Sequence, residues 1–275
     1  MQLGEKIRIL RHNKGTTQAE LANALSVTAQ TVSKWETHLS SPDVSVLPAI
    51  ARYFSITMDE LFGYRLDALG YKERFVRFLF DNGMLRFGEF TLKSGRTSPY
   101  LIRSGDYRTG SQITKLGEFY AESVRRYAPD TQCLIGIHER EAPLLVATAM
   151  ILFSRYGMDV GYCVAPDAVS HVDPASKLTL LTDVFTSGVT LSRALETIRQ
   201  KSGRLPADVI VCVDRKERSE HTSLSAKHTV ERAYGTGIHS IIDVEDIIRA
   251  AEAGIIDGTA HLDRLKAYQL QYEGV

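Results

Sequence analysis

A short polar turn between an apolar run and a helical pattern is the clearest chemical feature of this sequence. The segment Leu178–Ala194 reads LTLLTDVFTSGVTLSRA, with Asp183 near the end of the apolar run. Backbone N–H groups lack intrahelical partners where a helix starts, and the helix dipole is positive at that end. A turn of hydroxyl residues and glycine at this position binds anions, phosphate in particular. The residues predicted to hold a phosphate are Thr186, Ser187, Gly188, Val189 and Thr190.

A second set of polar residues lies near the amino terminus, on a pattern of short helices. A tight turn at Ser26 and Val27 joins two helical segments of similar size, which is the helix-turn-helix pattern. The second helix has Val32 and Trp35 as its inward residues, so its other side is free to hydrogen-bond base edges or phosphates. Its outward residues are Thr28, Gln30, Thr31, Ser33 and Lys34. These residues by themselves support a DNA-reading domain and a small protein-binding bundle about equally.

The predicted secondary structure changes along the chain, from helices only to helices that alternate with strands. Apolar residues first recur at helical spacing, as at Leu3 and Ile7. From about Tyr71, helical patterns alternate with five β-rich runs, which predicts a mainly parallel sheet covered by helices on both faces. The predicted strands are Gln132–Ile137, Val160–Val164, Leu178–Val184, Val209–Asp214 and Ile238–Val244. The sequence therefore predicts an all-α domain over 1–64 and an α/β domain over 65–275.

Composition and charge narrow the class of protein. The 275 residues include 33 basic and 33 acidic residues, so no basic excess indicates nucleic acid, although a DNA-binding domain can concentrate its cations on one face. Three cysteines without paired spacing argue against a disulfide framework or a zinc site and fit a reducing cytosol. The sequence shows no signal-peptide pattern and no apolar run of transmembrane length. We therefore expect a cytoplasmic protein that does not contact a membrane.

The amino-terminal pattern matches a known motif along most of its length. It reads LGEKIRILRHNKGTTQAELANALSVTAQTVSKWE and then SPDVSVLPAIARYFSITMDELF, with Gln18 opening the second helix and DEL at 59–61. These residues resemble the Cro/C1-type (Xre) helix-turn-helix family. The resemblance implies that Gln18 contacts a phosphate of double-stranded DNA and that Thr28 to Lys34 face the major groove. It also implies a dimer that reads two half-sites about one helical turn apart; a copy that binds protein instead stays an alternative.

Five motifs of the larger domain also match a known family, in order along the chain. They are LRFGEFTLKSGRTSPY (85–100), GEFYAESV (117–124), LLTDVFTSGVTL (180–191), VDRKER (213–218) and the ending IIDVEDII…LKAYQLQYEGV. Together they resemble orotate phosphoribosyltransferase. The resemblance implies a type I phosphoribosyltransferase fold, a homodimer, and synthesis of a nucleoside monophosphate from orotate and phosphoribosyl pyrophosphate with magnesium.

The same resemblance assigns roles to individual residues. The turn Thr186–Thr190 would hold a ribose 5′-phosphate, and Asp183 would face the ribose hydroxyls. Lys93 and Arg215 match positions that meet orotate and its carboxylate. Magnesium is expected only if phosphoribosyl pyrophosphate binds, with Asp183 as an indirect ligand, and no other metal site is predicted.

Three departures from the family pattern concern the base, the ribose and the pyrophosphate. Thr182 stands where the family has the first of two acidic residues, and Leu101–Ile102 replaces the aromatic pair that follows SPY. Where the family reads Gly-Pro-Ala-Tyr-Lys-Gly-Ile-Pro, this chain reads GIHEREAP from Gly136. Glu139 and Glu141 therefore stand where an anionic leaving group is held, and each carboxylate repels it unless Arg140 or the metal compensates.

A fourth departure concerns the catalytic loop. The family reads Arg-Lys-Glu-x-Lys-x-His-Gly, whereas this chain reads APDAVSHVDPASK over 165–177, which is shorter and has no clustered lysines. His171 and Lys177 are imperfect stand-ins for the missing side chains. Cations at this place stabilise the departing pyrophosphate as charge develops, so their loss predicts little or no transfer.

These features lead to one hypothesis and two alternatives. The hypothesis is a dimeric DNA-binding transcriptional regulator whose larger domain binds a nucleotide or phosphoribosyl ligand without turning it over. One alternative is an active orotate phosphoribosyltransferase with a DNA-binding domain. The other is an effector component of a bacterial defence system, which fusions of this kind also resemble.

Overall fold

The chain forms two compact units, which we describe separately. The computed structural model describes residues 3–54, 56, 58–62, 69–92, 95–219 and 224–274. The units are Met1–Gly70 and Tyr71–Val275. The predicted boundary at 64/65 lies within 63–68, outside the described residues, and so stays a prediction.

The amino-terminal unit is built from short helices around a small apolar core. Its helices are α1 Leu3–Asn13, α2 Gln18–Ala24, α3 Ala29–Glu36, α4 Leu47–Phe54 and α5 Met58–Leu61. Thr17 and Glu20 form a capping box that starts α2, and the Thr28 hydroxyl accepts the Thr31 N–H at the start of α3. Each cap satisfies a donor that the first helical turn leaves open, so both helix starts are encoded locally. The fully or nearly fully buried core includes Ile7, Leu21, Val32, Trp35 and Ile50.

The larger unit is an α/β domain with a five-stranded parallel sheet. Its strands lie in the order β4-β3-β5-β6-β7. They are β3 Cys133–Gly136, β4 Gly161–Cys163, β5 Leu178–Phe185, β6 Asp208–Asp214 and β7 Gly237–Asp243. Its helices are α6 Tyr71–Asp81, α7 Gly110–Tyr127, α8 Ala142–Tyr156, α9 Val189–Ser202, α10 Ala226–Tyr234, α11 Val244–Glu252 and α12 Leu262–Tyr272. The predicted fold class is confirmed, and all five predicted strands are present.

Neighbouring residues of the central strands point into two separate apolar cores. Leu181 and Ile210 belong to one core, whereas Leu180 and Val209 belong to the other. This alternation follows from the two-residue period of a strand, and it requires helices on both faces of the sheet.

An antiparallel hairpin lies beside the main sheet and was absent from the predicted elements. It pairs β1 Leu85–Thr91 with β2 Thr97–Ile102, and its register shifts between Phe87 and Phe90. The outer residues of β1 are partly exposed, so its sequence lacks a continuous apolar run.

The strand order places a crevice between β3 and β5. From β3 the chain proceeds to β4 on one side, and from β5 it proceeds to β6 on the other. The loops that leave the carboxyl ends of these adjacent strands therefore diverge, and ligands of open α/β sheets bind at such a point. Among the described residues, no helix has the length and apolarity needed to cross a membrane.

Candidate functional site

A cleft of about 830 Å³ opens at this divergence point. Its walls come from the end of β2, the loop after β3, the end of β5 and the first turn of α9. All five residues predicted to hold a phosphate line it, as does Asp183. Three of the five motifs of the larger domain, 85–100, 180–191 and 213–218, therefore contribute residues to the cleft.

The turn after β5 presents backbone donors to the cleft. Gly188 precedes α9 with a positive φ of 81°, and no described side chain caps α9, whereas Thr109, Ser225 and Asp243 cap other helices of the domain. Thr186, Val189 and Thr190 line the cleft where α9 starts. An uncapped helix start beside hydroxyl side chains is able to bind an anion, and the binding of a phosphate there stays a prediction.

Arginines add positive charge around the cleft. Arg103, Arg140 and Arg193 are exposed and line it, and the guanidinium of Arg103 lies 3.8 Å from the carboxylate of Asp106. Sequence reasoning did not single out Arg103 or Arg193. Arg193 had a local signal, because it lies three residues after Thr190 and therefore on the same face of α9.

The carboxylate of Asp183 is held by two neighbours at the cleft. Oδ1 accepts a hydrogen bond of 2.8 Å from the buried Ser104 hydroxyl, and Oδ2 lies 3.5 Å from Nη2 of Arg140. Among the described residues, no group of three His, Cys, Asp or Glu side chains is placed to hold a metal ion. The role of Asp183 as an indirect magnesium ligand stays a prediction.

Glu141 turns away from the cleft and binds the backbone of its own loop. Its Oε2 accepts hydrogen bonds from the N–H groups of Ile137, at 2.6 Å, and His138, at 3.3 Å. Oε1 accepts a 3.4 Å hydrogen bond from the Thr182 hydroxyl. Burial and the charge of Asp183 raise the pKa of Glu141 to about 7. The expectation that both loop carboxylates face the leaving group therefore needs correction, because Glu141 lies behind the loop and Glu139, although exposed, is not among the residues that line the cleft.

The base side of the cleft is apolar where the family has aromatic rings. Leu101 and Ile102 line it, as does Arg215. The Arg215 guanidinium is buried, donating to Glu217 at 2.6 Å and Ser98 at 2.8 Å. Whether it also meets a ligand stays a prediction. Lys93 lies outside the described residues, so its predicted role is likewise unchanged.

The segment that replaces the catalytic loop is packed against the domain. Residues Pro166–His171 form a short 3₁₀ helix whose Val169 is fully buried in the core beside α9. His171 is exposed and is not among the residues that line the cleft. It therefore does not stand in for the missing loop in this arrangement.

Lys177 lies at the amino-terminal end of β5, whereas the cleft lies at the other end of that strand. It precedes β5, an eight-residue strand about 25 Å long, whereas the cleft lies beyond the carboxyl end of that strand. Its ammonium group pairs with Asp130. The interpretation of Lys177 as a catalytic stand-in is thus corrected, because the strand keeps it out of reach.

The predicted DNA-reading residues lie on or beside α3. Gln30 and Lys34 are exposed, and Thr31 and Ser33 are partly exposed. The hydroxyls of Thr28 and Thr31 lie 2.8 Å apart and so bind each other at the start of the helix. One face of α3 is therefore polar and accessible, while Val32 and Trp35 fix the opposite face in the core.

Gln18 is held by the end of α3. Its side-chain amide donates to Oε2 of Glu36 at 2.8 Å, and the same carboxylate receives two hydrogen bonds from Arg11, at 2.7 and 2.9 Å. Gln18 therefore has a fixed orientation at the start of α2, and its contact with a DNA phosphate stays a prediction.

Known proteins resemble both units. A helix-turn-helix family model matches residues 7–61. The orotate phosphoribosyltransferase of Haemophilus influenzae is 34% identical over 211 residues, covering 74% of this chain and 98% of that protein. The enzyme of the same name from Pseudomonas fluorescens is 33% identical over 211 residues, with 74% and 98% covered. Among solved structures, orotate phosphoribosyltransferase from Francisella tularensis matches with a TM-score of 0.61 and 25% identity, covering 73% of this chain and 99% of that chain.

Proposed function

Because the chain belongs to the orotate phosphoribosyltransferase family and carries a helix-turn-helix domain, we propose that it is a ligand-responsive transcriptional regulator. The helix-turn-helix domain binds double-stranded DNA, and the cleft binds a nucleotide or phosphoribosyl compound with little or no transfer. The protein acts as a homodimer, since two half-sites require two reading helices.

The observation that carries this proposal is the packed segment between β4 and β5. It contains a single lysine, Lys177, which pairs with Asp130 at the end of the sheet opposite the cleft. A transferase needs preorganised cations where pyrophosphate departs, and this segment supplies none to the cleft. The phosphate turn at Thr186–Thr190 is meanwhile intact. A phosphate turn that is present without cations for the departing pyrophosphate favours a sensor over an enzyme.

A sensor requires that its ligand bind two states of the protein with different affinity. A coupling free energy of about 1–3 kcal/mol changes DNA affinity about 5- to 150-fold. We expect this change when a nucleoside monophosphate is added to protein bound to a DNA sequence selected from a random library. Fluorescence anisotropy at fixed salt measures it, and unchanged DNA affinity at saturating concentrations of every ligand that binds would contradict the proposal.

An active orotate phosphoribosyltransferase that also binds DNA is the second candidate. It is favoured by the 34% identity to a protein of that name over nearly all of that protein's length. The two functions separate in an assay for orotidine monophosphate formation from orotate, phosphoribosyl pyrophosphate and magnesium. We expect no turnover; rates within the usual range of about 1–1000 per second would replace the sensor by the enzyme.

Removal of the Lys34 charge tests the DNA-reading helix. Lys34 is exposed on α3, so Lys34→Ala should weaken binding to all DNA sequences and lower the slope of log affinity against log salt by about 1. Gln30→Ala removes a hydrogen-bonding group without charge and should weaken the selected sequence while leaving the salt slope unchanged. Anisotropy titrations at several salt concentrations measure both effects. Wild-type affinity and slope in both variants would show that α3 does not contact DNA.

A further inference from the structure

We propose that Glu141 restricts the cleft to ligands that carry a single phosphate group, such as a nucleoside monophosphate, and excludes phosphoribosyl pyrophosphate. The proposal rests on the function proposed above and names its ligand class. It assigns to Glu141 the role of a specificity-determining residue, which acts through the backbone of its own loop.

The loop after β3 forms the wall of the cleft that a second phosphate group must use. Ile137, His138 and Arg140 line the same cleft as Thr186–Thr190, across the point where β3 and β5 diverge. A diphosphate held at the turn meets the exposed Arg103 and Arg193 side chains, and its remaining hydrogen bonds need donors from this loop. The donors that this loop offers to the cleft are its backbone N–H groups and the Arg140 side chain.

Two of those backbone donors are already used. The N–H groups of Ile137 and His138 both point at Oε2 of Glu141. The 2.6 Å bond leaves the Ile137 N–H unable to donate equally well to an oxygen on the cleft side, whereas the His138 N–H makes a longer bond of 3.3 Å. The Glu141 side chain thus takes up donor capacity that an external anion would otherwise use.

Arg140 is also engaged. Its exposed guanidinium lies 3.5 Å from the carboxylate of Asp183. No salt bridge to Glu141 is found within the described part of the chain. The buried carboxylate is therefore stabilised mainly by the Ile137 and His138 N–H groups, with the charge of Arg140 contributing, so a ligand that competes for those N–H groups leaves it with few partners.

The surroundings of Glu141 distinguish it from an ordinary helix cap. Capping carboxylates usually stay solvated, but Glu141 is only 3% exposed and faces Thr182 on the central strand. Burial also raises the pKa of this carboxyl group, so the ionised form is costly. The buried Glu141 side chain therefore fixes the orientation of the loop N–H groups, and its burial lowers the stability of the folded protein.

The phosphate turn differs from the loop after β3 in this respect. Within the described ranges, no side chain caps α9, and Arg193 is exposed one turn along the helix. One side of the cleft is thus open to a phosphate, whereas the other side has its backbone donors turned inward. This asymmetry fits a ligand with one phosphate group and not one with a pyrophosphate as well.

Binding measurements on four proteins test the proposal. They are the wild type, Glu141→Gly, Glu141→Gln and the control Glu139→Gln, which removes the same charge from an exposed side chain of the same loop. Glu141 has φ −85° and ψ −5°, a conformation that both glycine and glutamine can adopt, so neither substitution forces the backbone to change its path. Titration calorimetry with orotidine monophosphate, inorganic pyrophosphate and phosphoribosyl pyrophosphate gives the affinities.

We expect the wild type to bind the monophosphate and to bind both pyrophosphate compounds more weakly. Glu141→Gly should strengthen pyrophosphate binding about 10- to 100-fold, because it releases two donors to a charged group. Glu141→Gln keeps an acceptor for the amides and removes the charge, so its gain should be smaller. Glu139→Gln should match the wild type.

Two results would overturn the proposal and are distinguishable from each other. If the wild type binds no phosphate compound at all, the proposed function fails and this inference fails with it. If the wild type binds phosphoribosyl pyrophosphate as tightly as the monophosphate, only the inference fails. The wild-type comparison decides this even if Glu141→Gly does not fold. Where Glu141→Gly keeps monophosphate affinity but gains none for pyrophosphate, the role of Glu141 is likewise refuted.

Discussion

Replacing Gly188 by alanine is expected to lower the affinity of the cleft for a nucleoside monophosphate by about 100-fold or more. Gly188 has φ 81°, and a Cβ atom there would lie 2.8 Å from Cγ2 of Val230 and 3.4 Å from the ring of Phe185. Val230 and Phe185 are both buried, so neither can move aside cheaply. The turn must shift instead, and two or more charge-assisted hydrogen bonds to phosphate, each contributing about 1.5–3 kcal/mol, are lost with it.

Gly203→Ala is the matched control for this prediction. Gly203 ends the same helix with φ 69°, and no atom of the described residues lies within 4 Å of the position that an alanine methyl group would occupy. An alanine there therefore carries a similar backbone strain, roughly 1–2 kcal/mol for a residue with a Cβ in the left-handed region, without the collision. Calorimetry with orotidine monophosphate should find near-normal affinity in Gly203→Ala and loss of binding in Gly188→Ala. Equal affinities in the two variants would mean that the turn does not hold the phosphate.

Replacing Arg11 by alanine is expected to unfold the helix-turn-helix domain at ordinary temperature. Arg11 and Glu36 are 8% and 6% exposed and form a bidentate pair between α1 and α3. Burial favours a higher pKa for Glu36, but the hydrogen bonds from Arg11 and Gln18 lower it below its usual value, so the carboxylate is charged at neutral pH. Removing Arg11 leaves that charge buried, which costs about 3–5 kcal/mol. A single hydrophobic core of fewer than about 70–80 residues rarely supplies more than about 3–5 kcal/mol of stability, so a loss of this size unfolds the domain.

Trp35 makes this prediction easy to measure. It is the single tryptophan of the chain and lies 4% exposed in the core of the helix-turn-helix domain, so its fluorescence reports that domain alone. Arg8→Ala on the exposed side of α1 is the control and should unfold like the wild type. We expect Arg11→Ala to show the red-shifted emission of an exposed indole before heating. A thermal transition within a few degrees of the Arg8→Ala variant would show that the pair contributes little.

Much of the fold followed from local patterns. The central strand was predicted as Leu178–Val184 and spans Leu178–Phe185, because strands buried on both faces are continuous apolar runs. The hairpin Leu85–Ile102 was missed because it packs on one side only and its register shifts at a bulge. Each strand of such a hairpin is stabilised by its partner strand, so the residues of one segment do not predict it on their own.

The candidate site divides in the same way. The sequence by itself determined the strand, the hydroxyl-rich turn and the helix start that are predicted to hold a phosphate, since these are consecutive and place their own donors. It also separated Lys177 from that turn, because Lys177 precedes the strand Leu178–Phe185 and the turn follows it. Only the tertiary structure decided that Glu141 faces inward. The direction of a loop side chain depends on which distant strand or helix packs against it, and residue order does not encode that direction locally.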